Sequence, residues 1–411
     1  MQTSILNRVI GGVFLIAGTS IGAGVIGLPL KTMGVSFYLL LFGFFITWIV
    51  MIISAVAMLE ISSWSKTDIN IVRIYYRILG KKFSYFICII LLLFLYSLMT
   101  AYISGGSTML IDIINVNLNN NLYNFFFSLI FIIPFSVIVF FGIKTIDYIN
   151  RIFVFILVIL YLLLLYKIYN TFNISINYNV NFSKVSYTEF KLLLFSLPLI
   201  VTSFGYHLLI PSLNLYLQSQ IKLLYIVIIL GSFIPFIVYL VWEYFIISML
   251  INVYDNLSIQ ILYGYGNPIE KLIILISNNN NFILYIIILF SFFSLSSSLI
   301  GVSLGLFDFF LDLFGLSRSS IKNKMFVLCL TFFIPVIFNI LFPYIFMKAL
   351  GFAGIFASIL LILVPTGVLW YGRYIKNINS PYILFGGKIT IYIAIFFGIF
   401  IIFIELFEQY F

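Results

Sequence analysis

Eleven apolar runs of roughly twenty residues, divided by short polar segments, set the pattern of this chain. An α-helix needs about that length to cross the hydrocarbon core of a bilayer. The runs fall at 9–30, 36–60, 84–114, 122–142, 151–170, 190–212, 222–247, 282–307, 325–342, 347–371 and 385–406. The third is long enough to tilt. Between the second and third, Ile71–Lys82 sets apolar residues at helical spacing among basic ones, the pattern of a helix lying along a membrane surface. The longest connection, 248–281, is polar, contains Gly264, Gly266 and Pro268, and reads as an irregular loop. The expected architecture is an all-α polytopic membrane protein with eleven transmembrane helices in a single transmembrane domain.

Two runs are broken. The first carries Gly18-Thr19-Ser20-Ile21-Gly22-Ala23-Gly24, followed by Pro29; the sixth carries Ser203-Phe204-Gly205-Tyr206-His207 between Pro198 and Pro211. Lipid offers no hydrogen bonds, so irregular backbone at that depth is tolerated only against protein or a water-filled cavity. Span one opens a first set of five helices and span six the next. Breaks in corresponding members of two repeats mark an inverted-repeat transporter with discontinuous helices one and six. The repeats would cover about 9–170 and 190–371, with 385–406 as an additional helix; the argument rests on position, since no repeated sequence is visible. Gly22-Ala23-Gly24-Val25-Ile26-Gly27 also matches a dinucleotide-binding GxGxxG, but neither the preceding strand nor the acidic partner that motif needs is present. Unwinding at Gly18–Gly24 would free backbone groups for an amino acid's ammonium and carboxylate, the latter favoured by a half-helix N-terminus. The plainer alternative is that Gly18-x-x-x-Gly22 is a helix-packing face.

Composition agrees with the spans: 64% of the 411 residues are hydrophobic and 8% are charged, against about 25% charged in a soluble domain. The net charge of +9 does not point to nucleic acid, because the basic residues are thinly spread between the spans. With the N-terminus inside, fifteen of the 21 basic residues fall on the inner side: Arg8, Lys66, Arg73, Arg77, Lys81, Lys82, Lys144, Arg151, Lys222, Arg318, Lys322, Lys324, Arg373, Lys376 and Lys388. Lys31, Lys167, Lys184, Lys191, Lys271 and Lys348 fall outside. That asymmetry predicts a cytoplasmic N-terminus. Cys88 and Cys329 lie inside apolar runs and read as packing residues, and no metal-ligand cluster is evident.

Several side chains are candidates for chemistry. His207 is the single histidine; such a residue is most often structural, yet its place in the break makes it a coupling candidate. Ser297 and Ser298, near Ser294 and Ser296 in span eight, could face span one and bind a cation or water, or simply bond back to their helix. Glu60 and Glu243 lie towards the ends of their spans, where interfacial snorkelling or capping is expected. Asp308 and Asp312 share a helix face and could hold a gate with nearby basic residues. Scattered acids and one histidine do not make an enzyme site, and no repeated pore-lining pattern suggests a channel.

Certain blocks resemble the bacterial hydroxy/aromatic amino acid permeases. They are Ala17–Gly24 with Leu28-Pro29, Thr100-Ala101-Tyr102-Ile103-Ser104-Gly105, Leu197-Pro198 with Ser203–His207 and Pro211-Ser212, Gly301–Asp308 with Asp312–Gly315, Gly351-Phe352-Ala353-Gly354, and Gly386-Gly387-Lys388. Leu98–Gly105 and Gly231-Ser232-Phe233-Ile234-Pro235 favour the tyrosine-specific members, with the tryptophan permeases similar. The resemblance implies eleven spans in the leucine-transporter-type five-plus-five inverted-repeat fold and proton-driven uptake of an aromatic amino acid across the bacterial inner membrane, with sodium coupling as the alternative. No cofactor is expected beyond the coupling ion. On this reading the substrate site comprises Gly18, Thr19, Ser20, Ile21, Gly22, Ala23, Gly24, Tyr102, Ser203, Phe204, Gly205 and Tyr206, with His207, Ser297 and Ser298 as coupling candidates. Tyr102 and Phe204 would neighbour the substrate ring.

Overall fold

A computed structural model describes residues 5–22, 24–64, 71–114, 121–172, 186–253, 276–277, 280–342, 345–380 and 382–410. Ala23 and most of the 248–281 connection lie outside these residues. Among the described residues, ten helices are long and apolar enough to cross a membrane, and the half-helices Ile5–Ser20 and Gly24–Thr32, bent by 49° at their break, bring the number to eleven when counted as one span. The others, in order, are span two (Phe37–Ser63), three (Lys81–Ile114), four (Asn121–Phe141) and five (Ile143–Phe172). Span six comprises Tyr187–Ser203, a single 3-10 turn at His207–Leu209, and Ile210–Tyr216. Spans seven (Ile221–Val253), eight (Asn281–Phe314) and nine (Ile321–Leu341) follow. Span ten is Phe346–Tyr374 and span eleven Gly387–Tyr410. The predicted spans are therefore present, most of them longer at one or both ends.

Local chemistry sets several of these ends. Ser186 accepts the Glu189 amide, and Asn280 accepts the amides of Phe282 and Ile283, so each caps a helix start. Gly315, at φ 61°, ends span eight in the left-handed conformation that a Cβ disfavours. Span ten passes through a π-helical turn at Ser358–Leu363 just before Pro365. That turn shifts the register of the helix, and the Ser358 hydroxyl donates to the Gly398 carbonyl of span eleven at 2.8 Å.

Contacts between helix ends give the topology a check independent of hydropathy. On the face that carries Ile5, Arg8 reaches the Tyr216 carbonyl, Lys324 the Phe140 carbonyl and Lys376 the Ile78 carbonyl. On the opposite face Lys31 pairs with Glu408. Alternating spans bring each of these pairs of ends to the same side. Small residues let the broken span approach span seven: a Cβ on Gly231 would stand 2.7 Å from Cβ of Ile16, and one on Gly12 2.9 Å from Val227.

A helix forms over Ile71–Leu79, with Ile74, Tyr75 and Ile78 buried against protein and the Tyr75 hydroxyl meeting the Met58 sulfur at 3.3 Å. Two expectations change. Cys329 is exposed on an apolar groove between spans four and nine, at the surface of the bundle instead of packing inside. Glu60 is not interfacial: it is fully buried, grips Arg373 through both guanidinium edges (Nε to Oε1 2.7 Å) and accepts the Leu384 amide at 2.8 Å. That cluster ties span two, span ten and the connection to span eleven together on the Ile5 face.

Removing one partner of a buried pair strands the other charge, at a cost of about 3–5 kcal/mol. Arg373→Ala is therefore expected to lower the thermal midpoint and yield of detergent-solubilised protein sharply. Arg151→Ala breaks only an exposed pair with Asp147, worth about 0.3–0.5 kcal/mol, and should match the parent. Equal midpoints for the two variants would show that the Glu60 cluster does not hold the helices together.

Candidate functional site

A helix that ends at Ser20 leaves its last four carbonyls without intrahelical partners, and one that restarts at Gly24 leaves its first amides likewise. Span seven supplies much of what is missing. The Tyr239 hydroxyl donates to the Ser20 carbonyl at 2.6 Å and accepts the Gly22 amide at 3.5 Å. One turn on, the Trp242 indole donates to the Val25 carbonyl at 2.7 Å. Span eight adds the Ser294 hydroxyl, which donates to the Gly22 carbonyl at 2.9 Å. Within the break, Ile21 donates to Ala17 and Val25 to Gly22. The break is thus a backbone loop held open by side chains from two other spans.

The second break meets the first. A Cβ on Gly24 would lie 3.1 Å from Cβ of Ser203 and 2.8 Å from the Tyr239 hydroxyl. Phe204, Gly205 and Tyr206 leave the helix, with Phe204 bonded back to Val201 and Gly205 to Thr202. The Phe204 ring is fully buried, edge-on to Phe44 and Tyr239 at 6.5 and 6.2 Å. Tyr206 is buried too, stacked on His207 at 4.9 Å. His207 Nε2 lies 2.7 Å from the Ser54 hydroxyl and 3.1 Å from the Met51 carbonyl. That carbonyl only accepts, so Nε2 carries the hydrogen and the ring fastens span six to span two.

The remaining expected residues divide in two. Thr19 and Ser20 turn their hydroxyls back onto their own helix, to the carbonyls of Leu15 and Ile16, so what the break presents is backbone. The Ser203 hydroxyl likewise returns to Leu199. Tyr102 of span three is buried beside Ser298 with its hydroxyl in hydrogen-bonding reach, and Ser298 Oγ occupies the place a Cβ on Gly22 would take. Ser297 donates to Asn150 of span five at 2.7 Å. Asp308 pairs with Arg318 in the loop after its own span, so this pair closes a helix end and does not bridge two halves.

Below the break, on the Ile5 side, the packing opens. Ser294, Ser298, Gly301 and Gly305 follow one another at steps of four, three and four, and so share one face of span eight. The exposed Tyr285 and Leu289 lie on the other. The two serines touch span one, while Gly301 and Gly305 are exposed with no atom within 4 Å of a Cβ built on either. Gly18 likewise has nothing within 4 Å, and Thr19 is exposed. The space beside Gly18, Gly301 and Gly305 is therefore open on the Ile5 side of the break. Above the break the packing is tight: Gly27 faces Leu350 and Leu199 at 3.1 and 3.2 Å, and Gly105 faces Leu295 and Phe346 at 3.0 and 3.1 Å.

The signals for Tyr239, Trp242 and Asn150 were weak in the sequence. Tyrosine is too frequent in this chain for any one to stand out, and nothing local marks a side chain that serves a distant backbone. The spacing of three between Tyr239 and Trp242 is the only trace of their shared face.

Residues 6–405 match the tryptophan/tyrosine permease family, and the chain belongs to that family. It is 29% identical over 400 residues to tyrosine-specific transport system 1 of Haemophilus influenzae, covering 96% of each chain. It is 30% identical over 404 residues to the tryptophan-specific transport protein of Shigella flexneri, covering 97% of this chain and 94% of that one. Among solved structures, MhsT in complex with L-phenylalanine matches at 14% identity with a TM-score of 0.62, over 97% of this chain and 98% of its own. The fold is accordingly the leucine-transporter-type five-plus-five inverted repeat, with spans one and six discontinuous.

Tyr239→Phe keeps the ring packing against Phe44 and Phe204 while removing the hydroxyl that bridges Ser20 and Gly22. Leaving buried backbone groups unpaired costs about 1–3 kcal/mol. The expected result is roughly tenfold weaker half-saturation in uptake of aromatic amino acids, at near-normal membrane abundance. Parental kinetics would show that the bridge does not shape the site.

Proposed function

We propose that this permease is a secondary active importer of aromatic amino acids, tyrosine foremost, driven by proton symport across the bacterial inner membrane. The observation that carries the reading is the meeting of two backbone breaks, Gly18–Gly24 and Ser203–Tyr206, beside open space at Gly18, Gly301 and Gly305 that would serve as a substrate cleft. Free carbonyls at the end of Ile5–Ser20 would take the substrate ammonium. Amides at the start of Gly24–Thr32 would take its carboxylate, where the helix dipole favours an anion. Tyr102, with Ser298 beside it, is placed to meet the distal end of the substrate. Phe204 shapes the wall from behind, through Tyr239.

Family membership supports an aromatic cargo, and both tyrosine- and tryptophan-specific relatives are similar over nearly the whole chain. The preference for tyrosine rests on the resemblance at Leu98–Gly105 and Gly231–Pro235. Concentration of basic residues on the Ile5 face supports a cytoplasmic N-terminus, so the cleft opens inward. Alternating access follows as rocking of one helix set against the other, over repeats at about 9–170 and 190–371 with span eleven, about 385–406, outside them.

The preference for proton over sodium coupling rests on the family resemblance. Ser294 donates to the Gly22 carbonyl and Ser297 to Asn150, and each of these oxygens keeps lone pairs that a cation would use, so sodium stands as the alternative that the transport assay separates.

Vesicles bearing the protein should concentrate labelled tyrosine when an inward proton gradient is imposed, and should do so equally when choline replaces sodium at fixed pH. Excess unlabelled tyrosine should compete more strongly than tryptophan or phenylalanine. Dependence on sodium would overturn the symport reading, and stronger competition by tryptophan would reassign the cargo.

A further inference from the structure

Glu243 is expected at the span end as a snorkelling or capping residue, and the structure corrects this: its side chain is fully buried. Oε2 lies 2.7 Å from the Thr32 hydroxyl, which also reaches the Leu28 carbonyl of its own helix at 2.9 Å, and Oε1 has no hydrogen-bond partner among the described residues. Among the described residues it joins no ion pair. Thr32, also fully buried, is the last residue of the half-helix Gly24–Thr32. Tyr239, Trp242 and Glu243 occupy one face of span seven at steps of three and one, and all three bond the broken span: at Ser20 and Gly22, at Val25, and at Thr32. The face runs along the whole upper half of span one, and its topmost member is an acid.

The charged and titratable groups on the elements packed against span seven are otherwise engaged or distant. On the broken span, Arg8 bonds the Tyr216 carbonyl at the Ile5 face and Lys31 pairs with Glu408. On span two, Glu60 pairs with Arg373 at the Ile5 face, while Tyr38 is exposed near the opposite end. On span five, Asp147 pairs with Arg151, Lys167 lies over the Phe282 ring, and Tyr161 bonds the Val238 carbonyl. In span six, His207 is bonded to span two and Tyr216 is exposed at the Ile5 end. Span eight packs on Trp242 through Phe290, and its Asp308 pairs with Arg318 near the Ile5 face. Among the described residues, no cation neutralises Glu243 from any of these elements.

A carboxylate in such surroundings is costly, so a proton gained or lost there must accompany a change in what surrounds it. We propose that Glu243 binds the coupling proton, and that its bond to Thr32 transmits the protonation state to the half-helix Gly24–Thr32. The protonated acid is compatible with the closed packing of the upper half. Release of the proton requires water to reach Oε1, and so requires span one to move away from span seven. This proposal rests on the proton-symport reading and names the residue that carries it. His207 differs in that its bonds run to span two: a proton taken at its unpartnered Nδ1 would leave the Nε2–H contacts in place and, among the described residues, would meet no bond to the half-helix Gly24–Thr32.

The test uses the full-length protein in vesicles given labelled tyrosine, tryptophan and phenylalanine together. One coupled proton under a one-unit pH gradient supports about tenfold accumulation. Glu243→Gln preserves the shape and the bond from Thr32. It is expected to abolish gradient-driven accumulation while substrate exchange across the membrane, which needs no net proton movement, stays near the parental rate. Accumulation by Glu243→Gln equal to the parent would overturn the assignment, and so would loss of exchange along with accumulation, since that marks a structural role. If the parent protein itself fails to respond to the pH gradient, the symport reading fails first, and the assignment with it.

Discussion

Every backbone polar group inside a bilayer must find its partner within the protein, and this molecule is organised around the place where a helix fails to provide one. Span one stops at Ser20 and restarts at Gly24. The groups orphaned there are met by Tyr239 and Trp242 of span seven and by Ser294 of span eight. Each such bond fixes a helix from one part of the bundle against the broken span. Satisfaction of the backbone and assembly of the site are therefore the same event. What remains unsatisfied is what a ligand can use.

The same bonds make the two halves of span one unequal. The upper half is gripped by span seven along its length and packed against Leu199 and Leu350. The lower half leans on span seven through the close approach at Gly12 and Gly231, while Gly18, Gly301 and Gly305 border open space. A bundle packed above the break and open beside it below is the arrangement that one end of the proposed alternating cycle would require. The buried Glu60–Arg373 pair ties spans two and ten at the open face, so opening there leaves that part of the frame in place. A buried carboxyl group occurs at both ends of the molecule with different consequences. Paired and fully bonded at Glu60, it braces the frame. Bonded once at Glu243, it leaves an oxygen whose state can change.

Much of the fold was legible along the chain because lipid imposes one-dimensional rules. Length and hydropathy mark the spans, and the glycine clusters at Gly18–Gly24 and Gly205 mark the breaks. The candidate site was legible in its location and much less in its chemistry. Thr19 and Ser20 look like hydroxyl ligands in sequence, but in the helix their nearest acceptors are the carbonyls one turn back. Phe204 and Tyr206 look like pocket walls, yet their rings point into protein, against Tyr239 and His207. Glu60 and Glu243 sit near span ends in sequence, where water would be expected. Neighbouring helices cover both, and no local pattern reports how tall a neighbour stands.

By itself, then, the sequence determined the number of spans, their alternation, the two interruptions and the family, since each depends on residues close together in the chain. Tertiary structure alone decided which groups face one another. Tyr239 and Ser20 are separated by 219 positions, and Glu243 and Thr32 by 211. A hydrogen bond is set by a few tenths of an ångström between atoms, and that precision comes only from the packing of whole helices.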